Sequence, residues 1–184
     1  VFDEGTSLPV QIRILNFYAS GDITYVARNN GIELKEGDFV SQGELLATID
    51  ARRQNASIET ANADIQVAVN QREQSAASLL QARANLEKAE SDLDLAETEL
   101  IRYQTLFEQG AVSASDRDAY RNRLDQAKAA LKTAQQTIRS AEEGLQSADS
   151  SITAAQARRN QTTVDLEDTQ LVSPIDGIVA YINI

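Results

Sequence analysis

Between residues 51 and 169 large apolar side chains return every seventh position. Ile58, Ile65, Leu79, Leu86, Leu93, Leu100 and Phe107 keep that spacing, and Arg72 is the polar member of the series. Three residues after each of the first seven members come Ala61, Ala68, Ser75, Ala82, Ala89, Ala96 and Tyr103. Bulky residues at a and small ones at d predict a helix packed along one narrow seam. A second series repeats the pattern, with Leu124, Leu131, Ile138, Leu145, Ile152, Arg159 and Leu166 at a. Ala127, Ala134, Ala141, Ala148, Ala155 and Thr162 fill its d positions. Two matching seams joined by a short break predict an antiparallel helical hairpin. At ~1.5 Å rise per residue, each arm of about 55 residues would be ~80 Å long. Alanine at most d positions lets the axes approach toward the lower end of the ~8–10 Å range.

The flanks change character. Gly21, Gly31, Gly37 and Gly43 punctuate β-branched and apolar runs before the helical stretch, and Leu171 to Ile182 resumes that pattern after it. The chain therefore reads as strands, a long hairpin and strands again, an α+β fold. Between Ala51 and Thr169 there is no Pro, and the only glycines are Gly110 and Gly144. Gly110 suits the position that ends the first helix. Ser113 and Ser115 each precede an acid by three residues, so either can open a capping box. The tip is expected at about residues 109–115, and Asp50 is the expected N-cap of the first helix. Arg72 and Arg159 are expected to pack their stems along the seam. Their guanidinium groups would reach solvent or carboxylates such as Asp149 and Asp64, with control of register as the alternative. Gly144 marks a weak point in the second arm, since Gly costs roughly 1 kcal/mol against Ala.

Composition narrows the chemistry. The 184 residues contain no His, Cys, Met or Trp. Thiol or histidine catalysis, disulfides and the usual zinc or haem ligand sets are excluded. Carboxylate chemistry and hard-cation binding remain open, but no Asp/Asn/Gly loop of the calcium-binding kind is present. Glu142-Glu143 and Asp92/Asp94 read as solvated helix surface. A net charge of −11 argues against nucleic acid. No apolar run is long enough to span a membrane. With no initiator Met, the sequence is expected to be part of a longer or processed chain, so a lost signal peptide or anchor is left open. Of the 184 residues 27 are Ala, and ten of them stand at the d positions of the two seams.

The stretch Glu36-Gly37-Asp38-Phe39-Val40-Ser41-Gln42-Gly43-Glu44-Leu45-Leu46-Ala47-Thr48-Ile49-Asp50 resembles a half-motif of biotinyl/lipoyl domains. Ser173-Pro174-Ile175-Asp176-Gly177-Ile178-Val179 resembles the start of the second half. A lipoyl-like β domain split by a long coiled-coil hairpin resembles the periplasmic adaptor, or membrane fusion protein, family of tripartite efflux and secretion systems (HlyD-like). The resemblance covers residues 20–184. It implies a first half-motif over 20–50, the hairpin over 51–169 and a truncated second half-motif over 170–184. Residues 1–19, with Val10, Ile12 and Ile14 alternating, would be a strand region of a barrel or membrane-proximal domain. The span from Gly21 to Gly37 is longer than the family usually has, and Asn29-Asn30-Gly31 suits an extra turn.

Arg102, Leu106 and Ser113 match the Arg-x3-Leu-x6-Ser pattern of adaptor hairpin tips, which in the family contacts TolC-type outer-membrane channels. Arg102 falls at c and Leu106 at g, one turn apart on one face and off the seam. Leu106 has no evident core to enter, which suits a partner contact. Arg102 offers a forked donor to a carbonyl or carboxylate. Each residue also has a plain role: Arg102 solvated, Leu106 shielding Phe107, Ser113 capping a helix.

The expected function is thus that of a non-enzymatic periplasmic adaptor subunit of a tripartite efflux pump, binding no cofactor or metal. The implied partners are a TolC-type outer-membrane channel, an inner-membrane transporter (RND favoured, ABC possible) and further copies of the chain in a ring, with no nucleic acid. The implied location is the periplasm, with inner-membrane association of the full-length protein. A structural coiled-coil spacer without channel docking is the alternative. A lipoyl or biotinyl carrier is a weaker one, because none of Lys35, Lys88, Lys128 and Lys132 lies where the half-motifs would meet.

Overall fold

A computed structural model describes residues 12–29 and 32–183 of the chain. The elements run β1 (Ile23–Val26), β2 (Arg28–Asn29), β3 (Ile32–Glu33), β4 (Phe39–Val40), β5 (Leu45–Ile49), α1 (Arg52–Glu108), α2 (Ala114–Glu167), β6 (Gln170–Val172) and β7 (Gly177–Ile178). They group into two compact units. One holds the described residues up to Asn62 together with those from Ala157 onward; the other is Ala63–Gln156.

The first unit is built from strands that precede the helices and strands that follow them. β5 is central in a three-stranded sheet, antiparallel to β1 on one side and to β6 on the other. β4 pairs antiparallel with β7, matching Phe39 to Ile178 and Val40 to Gly177. Gly37 and Gly43 take φ of 93° and 83°, the left-handed turns that their spacing predicts. Both turns are stitched to the far segment. Gly37 N–H donates to the Val179 carbonyl at 2.8 Å, and Gly43 N–H to that of Ser173 at 2.7 Å. The Asp176 carboxylate accepts the Gln42 N–H at 2.7 Å. The two half-motifs are therefore halves of one β structure, and the helices connect them.

Ile49, Ala27, Val40, Leu46 and Ala47 form the small buried core of this unit. Thr169 and Ser173 are buried with them, and each hydroxyl has a backbone acceptor. Thr169 Oγ1 donates to the Leu166 carbonyl at 2.6 Å, and Ser173 Oγ to that of Ile175 at 2.7 Å. That local bonding satisfies polar groups which burial would otherwise penalise. β2 and β3 pair as a short hairpin, Arg28 opposite Glu33. The central turn residues expected there, Asn30 and Gly31, lie outside the described residues. So does Val10 of the expected N-terminal alternation. Ile12 and Ile14 are exposed and belong to no strand.

α1 opens differently from the expectation. The Ala51 carbonyl accepts the first helical bond, from Asn55 N–H at 2.9 Å, so Ala51 occupies the cap position and Asp50 precedes it. Asp50 still serves the helix end: its Oδ1 accepts the Arg52 N–H at 3.0 Å. The Arg52 guanidinium forks onto the same carboxylate, with Nη2 2.6 Å from Oδ2. Those bonds from Arg52 pull the Asp50 pKa down to about 2. A depressed folded-state value stabilises the helix start above the unfolded pKa of about 3.9, and that help is lost as pH falls through about 2. An NMR titration of the Asp50 carboxylate is expected to show its midpoint near 2. Arg52→Ala should return it toward the ordinary range. Salt should narrow the shift, because the pair is open to solvent.

In the second unit the heptad series is borne out residue by residue. Ala68, Leu79, Ala82, Ala89, Ala96, Leu124, Ala148 and Ala155 are buried. The remaining apolar a and d residues of the unit are half-buried. Arg72 is exposed, and its Nε donates to Asp149 Oδ1 at 2.9 Å, one of the two carboxylates expected. α2 runs unbroken through Gly144, and a Cβ added there meets nothing within 4 Å. Gly144→Ala is expected to raise stability by ~1 kcal/mol, read from the urea midpoint at unchanged slope.

Candidate functional site

The turn between the helices is closed by two interlocking caps. Gly110 has φ 72°. Its N–H donates to the Phe107 carbonyl at 2.9 Å, while Ala111 N–H reaches back to that of Leu106 at 2.9 Å. This pair of bonds is the Schellman arrangement and satisfies carbonyls that the end of α1 would leave open. Three residues after Gly110, Ser113 caps α2. Its Oγ accepts the Asp116 N–H at 3.1 Å and donates to Asp116 Oδ2 at 2.6 Å. Asp116 in turn accepts the Ser113 N–H at 3.1 Å. Of the two candidate serines the structure selects Ser113, with Ser115 already inside the helix. The Ser113 hydroxyl and N–H hold the Asp116 carboxyl below its usual range.

Beneath the caps lies an aromatic stack absent from the sequence expectation. Tyr103 and Tyr120 face each other with ring centroids 3.7 Å apart and planes 21° from parallel. The Arg117 guanidinium lies 4.5 Å from the centre of the Phe107 ring and Arg123 4.5 Å from that of Tyr120. Such contacts are worth roughly 0.5–1 kcal/mol each at exposed sites. Arg123 also reaches Glu99 at 3.6 Å. The neighbouring Tyr120 hydroxyl, with Glu99 and Asp116 close by, holds the Tyr103 phenol above its ordinary pKa. The signal was in the register. Tyr120 stands seven residues before Ala127 and so extends the d series, which ends on both helices in a tyrosine.

The three predicted tip residues come together only in part. Arg102 is exposed and makes no hydrogen bond or ion pair among the described residues. Leu106 lies one turn further along α1, facing as expected. It is half-buried, however, so the expectation that it has no core to enter is corrected: the tip covers part of its side chain. Ser113 is exposed, but its hydroxyl is committed at both ends to Asp116. The arrangement presents the unbonded Arg102 guanidinium beside a partly open leucine.

Residues 42–172 match the family described as the YBHG alpha-helical hairpin domain. The chain belongs to that family. The matched segment starts at the Gln42-Gly43 turn and ends with β6, so it contains both helices and the β5–β6 pair that closes their base. No curated protein sequence matches. Among solved structures, the chain is similar to the periplasmic adaptor protein EmrA at 19% identity and a TM-score of 0.48, covering 92% of this chain and 65% of that one. It is also similar to MacA from Actinobacillus actinomycetemcomitans, at 25% identity and TM-score 0.36, over 91% of this chain and 42% of that one. A third is the soluble domain of LipC, a membrane fusion protein of a type I secretion system, at 16% identity and TM-score 0.47, covering 94% and 92%. The chain thus spans under two thirds of the EmrA chain and under half of the MacA chain. In this family member no helix among the described residues is long and apolar enough to cross a membrane.

Proposed function

We propose that this chain is the hairpin-bearing part of a periplasmic adaptor, linking an inner-membrane transporter to a TolC-type outer-membrane channel. Its tip docks the channel, and several copies surround the conduit. The adaptor does no chemistry; it holds two machines at a set distance. The observation that carries the reading is the tip itself. Arg102 is exposed with no bond among the described residues, one turn from Leu106, on a turn rigidified by a Schellman closure and a capping box. A free, planar, permanently charged fork next to an apolar side chain is what helix-end recognition of carbonyls and carboxylates uses. Family membership and the similarity to adaptor proteins support the same reading. RND and ABC transporters both remain compatible inner-membrane partners, with the RND type favoured by the tip pattern.

The test is a photo-reactive residue placed at position 106 of the protein in cells, with position 95 as a control further down α1. Docking predicts an adduct of the size of an outer-membrane channel subunit from position 106 and none from position 95. Equal labelling from both positions, or none from either, would leave the spacer reading.

A further inference from the structure

The chain has no Cys or Met, whose thiol and thioether are the usual first targets of oxidants, and no Trp or His. Its five tyrosines are then the side chains most open to one-electron oxidation. Tyr18, Tyr25 and Tyr181 stand exposed in the unit of strands. Tyr103 and Tyr120 differ. Both are half-buried, and they form the one stacked aromatic pair among the described residues. Centroids 3.7 Å apart and planes 21° from parallel put the rings face to face in van der Waals contact. Their hydroxyls lie at the same end of the stack, because that of Tyr120 is close enough to raise the Tyr103 pKa. The carbons beside one hydroxyl therefore face the carbons beside the other. Each ring stands at the d position of its helix nearest the turn. The Schellman closure and the capping box above, with Glu99–Arg123 below, hold the two backbones together at this level.

We propose that Tyr103 and Tyr120 are an oxidative cross-linking site, at which one-electron oxidants generated from peroxide join α1 to α2 as dityrosine. Each phenol gives up its hydroxyl hydrogen as one electron and one proton. The two odd electrons pair in a new bond between ring carbons that adjoin the hydroxyl-bearing carbons. The hydrogen on each joined carbon leaves as a proton, and a proton returns to each oxygen, which restores both phenols. In sum the pair loses two hydrogen atoms, and one hydrogen peroxide is reduced to two waters. The rings need only tilt apart about the joined carbons to accommodate the bond. Because they are stacked beforehand, coupling is intramolecular and gains the advantage of reactants held in place. Tyr18, Tyr25 and Tyr181 have no stacked ring beside them among the described residues. The new bond closes the loop of residues 103–120. Like a disulfide, it restricts the unfolded chain and ties the helix ends together across the turn. A tip so braced stays paired even when its caps open.

Treating the full chain, in dilute solution, with a haem peroxidase and hydrogen peroxide tests the assignment. Dityrosine fluorescence should appear in the single-chain band of a denaturing gel. Trypsin cuts after Arg102, Arg117 and Arg121, so residues 103–117 and 118–121 should emerge joined, two hydrogens lighter than their sum. Tyr103→Phe and Tyr120→Phe each keep a ring in the stack but remove the hydroxyl. Each is expected to lose the single-chain product, with helicity by circular dichroism showing that the variant folds. Tyr25→Phe should retain it. After treatment the urea midpoint of the native chain should rise, and that of Tyr103→Phe should not. Dityrosine found only between separate chains, or undiminished in the single-chain band of either tip variant, would overturn the assignment. So would a native chain that yields none.

Discussion

Arg102→Asp is expected to abolish channel cross-linking and export while leaving the hairpin fully helical. The substitution places a carboxylate where the structure has a free guanidinium, on an exposed helical position with no bond to lose among the described residues. Surface changes of that kind alter stability by less than about 0.5 kcal/mol. A docking role has the opposite energetics. Loss of a central charged anchor, with a like charge now facing the partner's acceptors, costs about 2 kcal/mol or more, roughly thirtyfold in affinity. Leu106→Ser should act in the same direction with a smaller loss, since most of the residue is covered within the tip and only the remainder can reach a partner. Ser113→Ala separates capping from binding. Its hydroxyl is spent on Asp116, so the expected cost is about 1 kcal/mol at the start of α2 with export retained. Export by Arg102→Asp at the native level would remove the docking role from this residue.

The second large effect concerns two adjacent leucines. Leu79 is 7% exposed and Leu80 66% exposed. Leu79→Ala removes a buried side chain from a seam one layer thick and is expected to cost ~2–3 kcal/mol, the lower part of the range for core truncations. The lower part applies because two helices can close on a gap more readily than a thick core can. Leu80→Ala should change stability by less than about 0.5 kcal/mol. Urea unfolding monitored by circular dichroism compares them directly. Equal effects would mean that the seam does not follow the heptad register.

The hairpin was legible in the sequence because its packing is one-dimensional. Each a and d residue meets the partner helix at a fixed interval, so periodicity alone assigns Leu79 inward and Leu80 outward. The Asp149 partner of Arg72 was legible for the same reason. Less could be read where structure depends on pairing across the chain. Nothing local marks Thr169 as the most deeply buried polar residue; its burial arises because Ile49 N–H, far away in sequence, donates to its carbonyl at 3.0 Å. At the tip, the glycine and the capping serine were visible as turn chemistry. The covering of Leu106 was not, since it depends on how the turn folds back. At the start of α1 the sequence marked Asp50 as important but one position off, because a carboxylate can serve a helix end from either the cap or the residue before it.

The pairing of β5 with β6 also sets an order of events in folding. Leu45 and Val172 are partners in one sheet although the whole hairpin lies between them in the chain. Closing so long a flexible loop for a handful of strand bonds carries a large entropic cost. Helical turns and the tip caps, by contrast, need only near neighbours and form fast. As the arms zip from the turn downward, the open loop between β5 and β6 shortens until their meeting is almost local. The β structure should therefore be the last part to form and, by the same logic, the first to open under denaturant.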